Sequence, residues 1–532
     1  MSSSSRVGIG RRGFLGLAGA GALGATVAAS SQPAWATPSF QSNPFGLGVA
    51  SGDPLPGGVV LWTRIAPDPI AADGLGGVHQ PHRQIPVKWE ISKDDSFGPH
   101  AIVQRGVAHA KPELAHSVHV EVDGLLPDRE YWYRFRVGGE ISPVGRTRTA
   151  PALDAQLNSL AFAFTSCQAY SAGYFTALRH MSEDDLAVAF HLGDYIYEGG
   201  AAGKVGRPHL PDHEIQSLTD YRIRYGQYKS DADLQAAHAS VAFVVVPDDH
   251  EVENNWAADR SQPDNEADQD PAVFLQRRAF AFQAYYENLP LRRSSVPAGP
   301  DMQLFRRIKY GQLADFHVLD TRQYRSYQNQ ENNNELRWDP SRTLLGDRQE
   351  KWLIDGMTES TAHWNVLAQQ SKMTESDDIV GPGETYPNDN WDGYAYSRAE
   401  LFDAIHERDI RNMVAISGDA HVNIASDLKP RFKEEDSPLV GAEFLGTSIS
   451  SGGDGVDINN RGRQRLAENP HIKFYNQRRG YQRCVVTPET WRTEYLVMPY
   501  VTEPGASIHT RAVGWVENGN PGIAQMEDRE II

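Results

Sequence analysis

Leu160-Ala161-Phe162-Ala163-Phe164-Thr165-Ser166-Cys167 carries no charge and ends on a thiol. Five consecutive apolar residues cannot alternate between core and solvent. The run therefore reads as a strand covered on both faces, the kind found inside helix-flanked sheets. The pattern recurs along the chain. Leu186–Leu192 ends in Gly193-Asp194, Val241–Val246 in Pro247-Asp248-Asp249-His250, and Leu313–Leu319 in Asp320-Thr321-Arg322. Trp364–Ala368 ends in Gln369-Gln370 and Met413–Ser417 in Gly418-Asp419. Helix-like stretches such as Tyr174–Asp184 and Arg348–Met357 separate these runs, so the spacing predicts a layered α/β fold. In such folds the site lies beyond the carboxyl ends of the strands. Six chemically armed strand ends are thus expected to meet in one crevice.

Upstream the texture differs. Val59–Arg64, Ile85–Ile91, Ser117–Val122 and Tyr131–Val137 are short strands, and Ser117–Val122 alternates apolar and polar residues, as half-buried strands do. Gly124-Leu125-Leu126-Pro127 leading into Tyr131-Trp132-Tyr133-Arg134-Phe135 looks like the late strands of a fibronectin-type-III or immunoglobulin-like β-sandwich. The expected organisation is a signal segment over 1–36, an N-terminal sandwich over 43–149 and a catalytic domain over 158–532. Thr149–Asn158 is the expected linker. In the signal segment, Arg6, Arg11 and Arg12 precede an uncharged Gly/Ala-rich stretch and the small-x-small site Ala34-Trp35-Ala36. The Arg11-Arg12 pair followed by Phe14-Leu15 resembles a twin-arginine signal, which is read by the twin-arginine export machinery. The stretch is shorter and richer in glycine than the ~20 strongly apolar residues of a membrane span, so no transmembrane anchor is expected.

Composition narrows the function. The 532 residues include 40% hydrophobic and 10% aromatic residues, which excludes global disorder. Asp and Glu number 69 against 51 Lys and Arg, a formal charge of −18 that opposes a nucleic-acid partner. An acidic protein that handles anions needs local cations, metal ions among them. Two cysteines, Cys167 and Cys484, allow at most one bridge and no disulfide scaffold.

Each motif has a bland and a chemical reading. Asp194 with Tyr197 three residues on is a capped turn, or a carboxylate and phenolate pair facing cations. Asp248-Asp249-His250-Glu251 is a solvated acidic turn, or a costly cluster awaiting counter-charge. Asp419 and His421, two apart on an extended segment, can point the same way. Cys167 is a buried core thiol, a partner of Cys484, or a thiolate ligand stabilised by a metal. Arg322 is a surface ion pair or a fork for phosphate oxygens. Asn254-Asn255-Trp256 reads as a loop beside the site, and Gln328–Asn334 and Asp264–Asp270 as solvated insertions. All three acidic motifs at ends of apolar strands favour the chemical readings.

In order, "FTSCQAY" (Phe164–Tyr170), "HLGDYIYE" (His191–Glu198), "DDHEVENNW" (Asp248–Trp256), "LDTRQYR" (Leu319–Arg325), "LGDRQEKWL" (Leu345–Leu353) and "SGDAHVNIASDL" (Ser417–Leu428) resemble the PhoD-type alkaline phosphatase family. The resemblance implies a secreted metallophosphoesterase acting on phosphomonoesters and phosphodiesters, with an Fe(III) and Ca(II) centre that activates water. A more distant likeness to purple acid phosphatases implies Asp194 as a bridge, Tyr197 and His421 on iron, and His250 as a non-ligand acid. Cys167 stands where that pattern expects a carboxylate, Asp249 replaces an asparagine and Asp419 a histidine. The second site thereby gains oxygen ligands, which suit calcium. The expected metal ligands are Cys167, Asp194, Tyr197, Asp249, Asp419 and His421. His250 and Arg322 are the expected catalytic groups, and Arg322 and Asn255 the substrate-binding ones.

Two rivals remain at this level: a calcium-dependent phosphodiesterase of phospholipase D type, and a secreted calcium-dependent binding protein built on the sandwich. The expected location is outside the cytoplasm, extracellular or in the cell-wall or periplasmic space. Changing both Arg11 and Arg12 to lysine should hold the protein in the cytoplasm; fractionation that finds secretion undiminished would refute the export reading.

Overall fold

The computed structural model describes residues 40–200, 202–328 and 333–529. The signal segment lies outside these, as do residues 329–332 of the Asn-rich run. Eight strands come first: β1 (Val49–Leu55), β2 (Gly58–Arg64), β3 (Ile85–Ser92), β4 (Ile102–Ala110), β5 (Ser117–Asp123), β6 (Glu130–Val137), β7 (Glu140–Ile141) and β8 (Gly145–Arg148). Then β9 (Leu160–Thr165), β10 (Val188–His191) and β11 (Ala242–Val245) alternate with helices α1 (Thr176–Glu183), α2 (Leu218–Lys229) and α3 (Ala232–Ser240). The long helix α4 (Pro271–Asn288) precedes β12 (Arg306–Tyr310) and β13 (Ala314–Val318). Helix α5 (Gly346–Glu359), β14 (Trp364–Ala368), α6 (Ala395–Glu407) and β15 (Met413–Ser417) continue the alternation. The chain closes with β16 (Asn423–Leu428), β17 (Gly441–Leu445), α7 (Asn460–Glu468), β18 (Ile472–Asn476), β19 (Arg479–Val486), β20 (Thr490–Met498), β21 (His509–Glu517) and β22 (Asn520–Asp528).

These strands build two facing mixed sheets. One has ten strands in the order β22-β21-β20-β19-β9-β10-β11-β1-β2-β5, the other seven in the order β12-β13-β14-β15-β17-β16-β18. The apolar runs read from sequence are the parallel centres of both: β9, β10 and β11 in the first, β13, β14 and β15 in the second. Phe162, Phe164, Phe190 and Val244 meet Phe316, Val318, Val366 and Ile416 between the sheets. Phe316 stacks on Phe190 at 4.7 Å and meets Phe162 edge-on at 5.1 Å. On the outer face, Ala163, Ala189 and Phe243 pack beneath α1–α4, while Leu367, Met413 and Ala415 pack beneath α5 and α6. Helix, sheet, sheet and helix thus stack in four layers, which is why these strands are apolar on both faces.

The N-terminal strands do not form a detached bead. β1 pairs in parallel with β11, Ser51 opposite Ala242 and Gly52 opposite Phe243. β2 and β5 extend the same sheet, while β3, β4, β6, β7 and β8 form a separate five-stranded sheet. Val49, Val59, Leu61, Val118 and Val120 from the first group share a core with Val87, Ile91, Tyr133 and Phe135 from the second. Cys484 sits in β19 opposite Phe162, buried in the inter-sheet core, and both cysteines are free thiols. The reading in which they pair is not met, because each is a separate buried thiol. Among the described residues no helix is long and apolar enough to cross a membrane.

At the carboxyl ends the two sheets nearly touch. Ser166 bridges to Ser448, and a Cβ added at Gly418 would meet the Ser166 Oγ at 2.4 Å. Gly193, at φ +101°, lies so close to Asp248 that a Cβ there would meet the Asp248 Cβ at 2.4 Å. Only glycine lets β10 and β11 deliver their carboxylates side by side. Gly193→Ala should therefore destabilise the fold by about 2–4 kcal/mol through combined strain and overpacking. Chemical denaturation checks this.

Candidate metal centre

The chain turns sharply just past the ends of β9, β10 and β15, and again at Asn255 in the loop after β11. Cys167, Asp194, Asn255, Asp419 and His421 all adopt positive φ, between 53° and 66°. That left-handed region is disfavoured for residues with a Cβ, and a cluster of such residues at one place marks a functional site. The backbone is pinned by cross-links. The Cys167 N–H donates to the Gly193 carbonyl at 3.1 Å, and that of Gln168 to the Asp194 carbonyl at 3.1 Å. Glu251, fully buried, accepts from the N–H groups of Asp194, Tyr195 and Asp248 at 3.3, 2.5 and 2.8 Å.

Two groups of donors are each compact enough for one ion. Cys167, Asp194 and His421 form the first, and Asp194, Asp249 and His250 the second, with one ligand atom from every member within 4.8 Å of the others in its group. Asp194 belongs to both. The Tyr197 hydroxyl closes the first group, donating to Asp194 Oδ2 at 2.8 Å and lying 3.1 Å from His421 Nε2. Asp194 Oδ1 is buried and has no hydrogen-bond partner. Asp419 stands outside both groups but beside them, its charge felt with those of Asp248, Asp249 and Asp389.

The electrostatics match a site short of positive charge. Burial, reinforced by Asp249 against the opposing pull of His250, pushes the Asp194 carboxyl up to about 7. Burial and neighbouring carboxylates raise the Cys167 thiol and the Tyr197 phenol well above their ordinary values. Asp419 is raised in the same way, by burial and then by Asp248, Asp389 and Asp249. Burial lowers His421 to about 3, with Arg479 and His250 adding to the effect, so its ring is neutral, the form that ligates. A thiol, a phenol and carboxyls held protonated in close array release protons when a cation enters. The residues present therefore fit bound metal ions.

His250 is different. Burial alone would lower its pKa, but Glu198, Asp249 and Asp194 hold the imidazolium well above histidine's usual range. Its Nδ1 lies 2.7 Å from Glu198 Oε2, and its ring faces Tyr197 with centroids 4.2 Å apart. Asn255 donates its backbone N–H to Asp249 Oδ2 at 2.8 Å, and its side-chain amide makes no hydrogen bond among the described residues.

Arg322 departs from expectation. It is fully buried. Nε donates to Asp248 Oδ1 at 2.6 Å, Nη1 to Asp389 Oδ1 at 2.8 Å, and Nη2 to Asp389 Oδ2 at 2.9 Å. Nη2 also lies 3.3 Å from Asp249 Oδ2 and Nη1 3.5 Å from the Trp256 carbonyl. With its donors spent on aspartates, it offers no free fork for phosphate and instead orders the carboxylates. Sequence reading also gave no role to Glu198, Asp389 or Ser451. Ser451 Oγ donates to the Tyr197 oxygen at 2.7 Å and lies 2.7 Å from the Cys167 carbonyl. Glu198 stands inside a quoted motif and was findable as a histidine partner. Asp389 lies on a long loop far from any strand end, and Ser451 follows β17, whose Glu443 breaks the apolar run that would have flagged it.

Facing α/β sheets bring thiol, phenol, imidazole and carboxylate donors into two ion-sized groups, and the comparisons with known proteins give the class, a hydrolase of phosphoric esters. Residues 162–495 match the PhoD-like phosphatase family, and residues 29–151 the N-terminal domain of PhoD-like phosphatases. The chain is 50% identical over 504 residues to alkaline phosphatase D of Bacillus subtilis (strain 168), a match spanning 93% of this chain and 85% of that one. A solved structure of PhoD superposes with a TM-score of 0.88 at 50% identity, covering 93% of this chain and 94% of the other. The chain belongs to the PhoD-like phosphatase family.

Removing the charge opposite His250 should show its part. Glu198→Gln is expected to lower the His250 pKa and move the alkaline limb of the kcat/KM profile to lower pH, since the carboxylate is what favours the imidazolium. His250→Ala should cut kcat by about 10²–10⁴-fold, the range of a lost general acid.

Proposed function

We propose that the chain is an exported, metal-dependent alkaline phosphatase and phosphodiesterase that hydrolyses phosphomonoesters and phosphodiesters. Iron(III) would be held by Cys167, Asp194, Tyr197 and His421, and calcium(II) by Asp194, Asp249 and Asp419. The observation that carries this reading is the sharing of Asp194 between two ion-sized donor groups, one of its oxygens being buried without a partner. A thiolate and a phenolate suit iron(III), while carboxylate oxygens suit calcium. Such a pair of cations supplies an acidified water and offsets charge on the phosphoryl group.

The chain's own residues do the rest. His250, its Nδ1 engaged by Glu198, presents Nε2 as a hydrogen-bond and proton donor to the ester. The uncommitted Asn255 amide orients a phosphoryl oxygen. Arg322 acts one layer back, holding Asp248 and Asp249 in register and, with His250, keeping Asp249 ionised. The same reading assigns residues 1–36 to a twin-arginine signal, 43–149 to a fibronectin- or immunoglobulin-like sandwich and 158–532 to the catalytic domain. The Tyr131 hydroxyl, which accepts the Leu126 N–H at 3.0 Å near the start of β6, supports the sandwich assignment. Location is then extracellular, or in the cell-wall or periplasmic space.

Side-by-side turnover of p-nitrophenyl phosphate, bis-p-nitrophenyl phosphate and phosphatidylcholine tests the reading; the first two should be cleaved. Turnover of the lipid alone would favour a phospholipase D type, and calcium binding without turnover a binding protein. Cys167→Ala should lose iron, the ligand-to-iron absorption band and more than about 100-fold in activity together, since even weaker perturbations of metal ligands cost 10–100-fold. Cys484→Ala should keep all three.

A further inference from the structure

The loop leaving the metal centre carries a second acidic pocket that the hydrolytic reading does not use. Glu253, four residues past Asp249, is completely buried, and neither carboxylate oxygen has a hydrogen-bond partner. Arg277 Nη1 approaches Oε1 at 3.4 Å. That one guanidinium is shared among three carboxylates, since it also reaches Asp268 Oδ2 at 2.7 Å and Glu214 Oε1 at 2.8 Å, besides the Ile215 carbonyl at 3.0 Å and the Tyr221 hydroxyl at 3.1 Å. The Ser261 hydroxyl nearby is turned to Asp268 Oδ1 and the Gln262 carbonyl, each at 3.1 Å. A carboxylate left this way inside a protein is costly unless a cation completes it. Burial pushes its carboxyl up to about 8.

Asp264 and Asp268 each bring an oxygen within 4.8 Å of one on Glu253 and of each other. Oxygens sharing one calcium ion at about 2.3–2.6 Å lie no more than about 5 Å apart, so the three are spaced for a single ion. The donors are all hard oxygens. Asp264 is exposed, while Glu253 and Asp268 are buried.

We propose that Glu253, Asp264 and Asp268 form a calcium-type cation site distinct from the catalytic centre. Its place in the chain gives it a task. The Asn254 N–H donates to Glu198 Oε1 at 2.9 Å, Asn254 Nδ2 to Gln262 Oε1 at 2.7 Å, and the Asn255 N–H to Asp249 Oδ2 at 2.8 Å. An ion joining Glu253 to residues 264 and 268 ties off the loop that presents Asn255 and caps Asp249.

The test is a metal count on the purified full-length enzyme equilibrated in calcium buffer. Glu253→Gln and Asp264→Asn should each carry one calcium fewer per chain than the parent, with every other metal unchanged. Calcium should also protect the exposed Arg260 bond from trypsin in the parent but not in the variants. The count is a difference between parent and variant, so it holds whether or not the catalytic centre takes calcium. If Glu253→Gln fails to fold, Asp264→Asn, altered at an exposed side chain, decides alone. Folded variants with the parent's calcium content and the parent's protection would overturn the site.

Discussion

Asp194, Asp248, Asp249, Asp389 and Asp419 crowd together at one edge of two facing sheets, and such a cluster is costly unless cations or bound protons offset its charge. The protein supplies one of these itself. Arg322 takes Asp248 on Nε and Asp389 on both terminal nitrogens, and Arg325 adds a second contact to Asp389 at 2.9 Å. Against the pull of burial, Arg322 and His250 hold the Asp249 carboxyl well below the usual range, while Asp248 is still pushed up to about 8. The fixed cations therefore satisfy part of the cluster. What they leave over falls on Asp194, Asp248 and Asp419, whose carboxyls stay raised, and Asp194 is the carboxylate common to both donor groups.

That arrangement dictates the backbone around it. Short parallel strands end together at the sheet edge, and their side chains can converge only if each chain reverses at once. Hence the positive φ at Cys167, Asp194, Asp419 and His421, and glycine at 193 and 418, where a Cβ would strike Asp248 or Ser166. Strain of this kind persists where the surroundings over-determine it. Here Glu251 takes three backbone N–H groups, and Ser451 cross-links the Cys167 carbonyl to the Tyr197 hydroxyl. The four-layer core beneath, with Phe162, Phe190 and Phe316 interlocked, gives those cross-links a rigid footing.

The parts legible in sequence were those with local periodicity. Trp364–Ala368 and Met413–Ser417 are strands with the bounds their apolar runs predict, and the remaining four parallel runs differ by one or two residues at one or both ends. The expected convergence of their ends followed from a general property of α/β sheets. The division into two sheets did not, because nothing local distinguishes β10 beside β9 from β10 beside β13. Nor did the parallel pairing of β1 with β11 across nearly two hundred residues, which rests on Gly52 lying against the Phe243 and Pro290 carbonyls. Arg322 misled for a related reason. An arginine at a strand end reads as a phosphate fork, but its ownership by Asp389 depends on a loop that carries no periodic signal.

The buried arginine bears on how an acidic protein would take an anionic ester. A guanidinium saturated by three aspartates contributes little net attraction beyond its own cluster, and the formal charge of −18 repels the substrate at longer range. On the proposed reading, the attraction must then come from bound cations and from the His250 imidazolium. Both depend on carboxylates, the cations on Asp194 and Asp249, the imidazolium on Glu198. The acidity of the site is thus the means by which positive charge is placed at its centre, and it confines that charge to the one crevice where the strand ends meet.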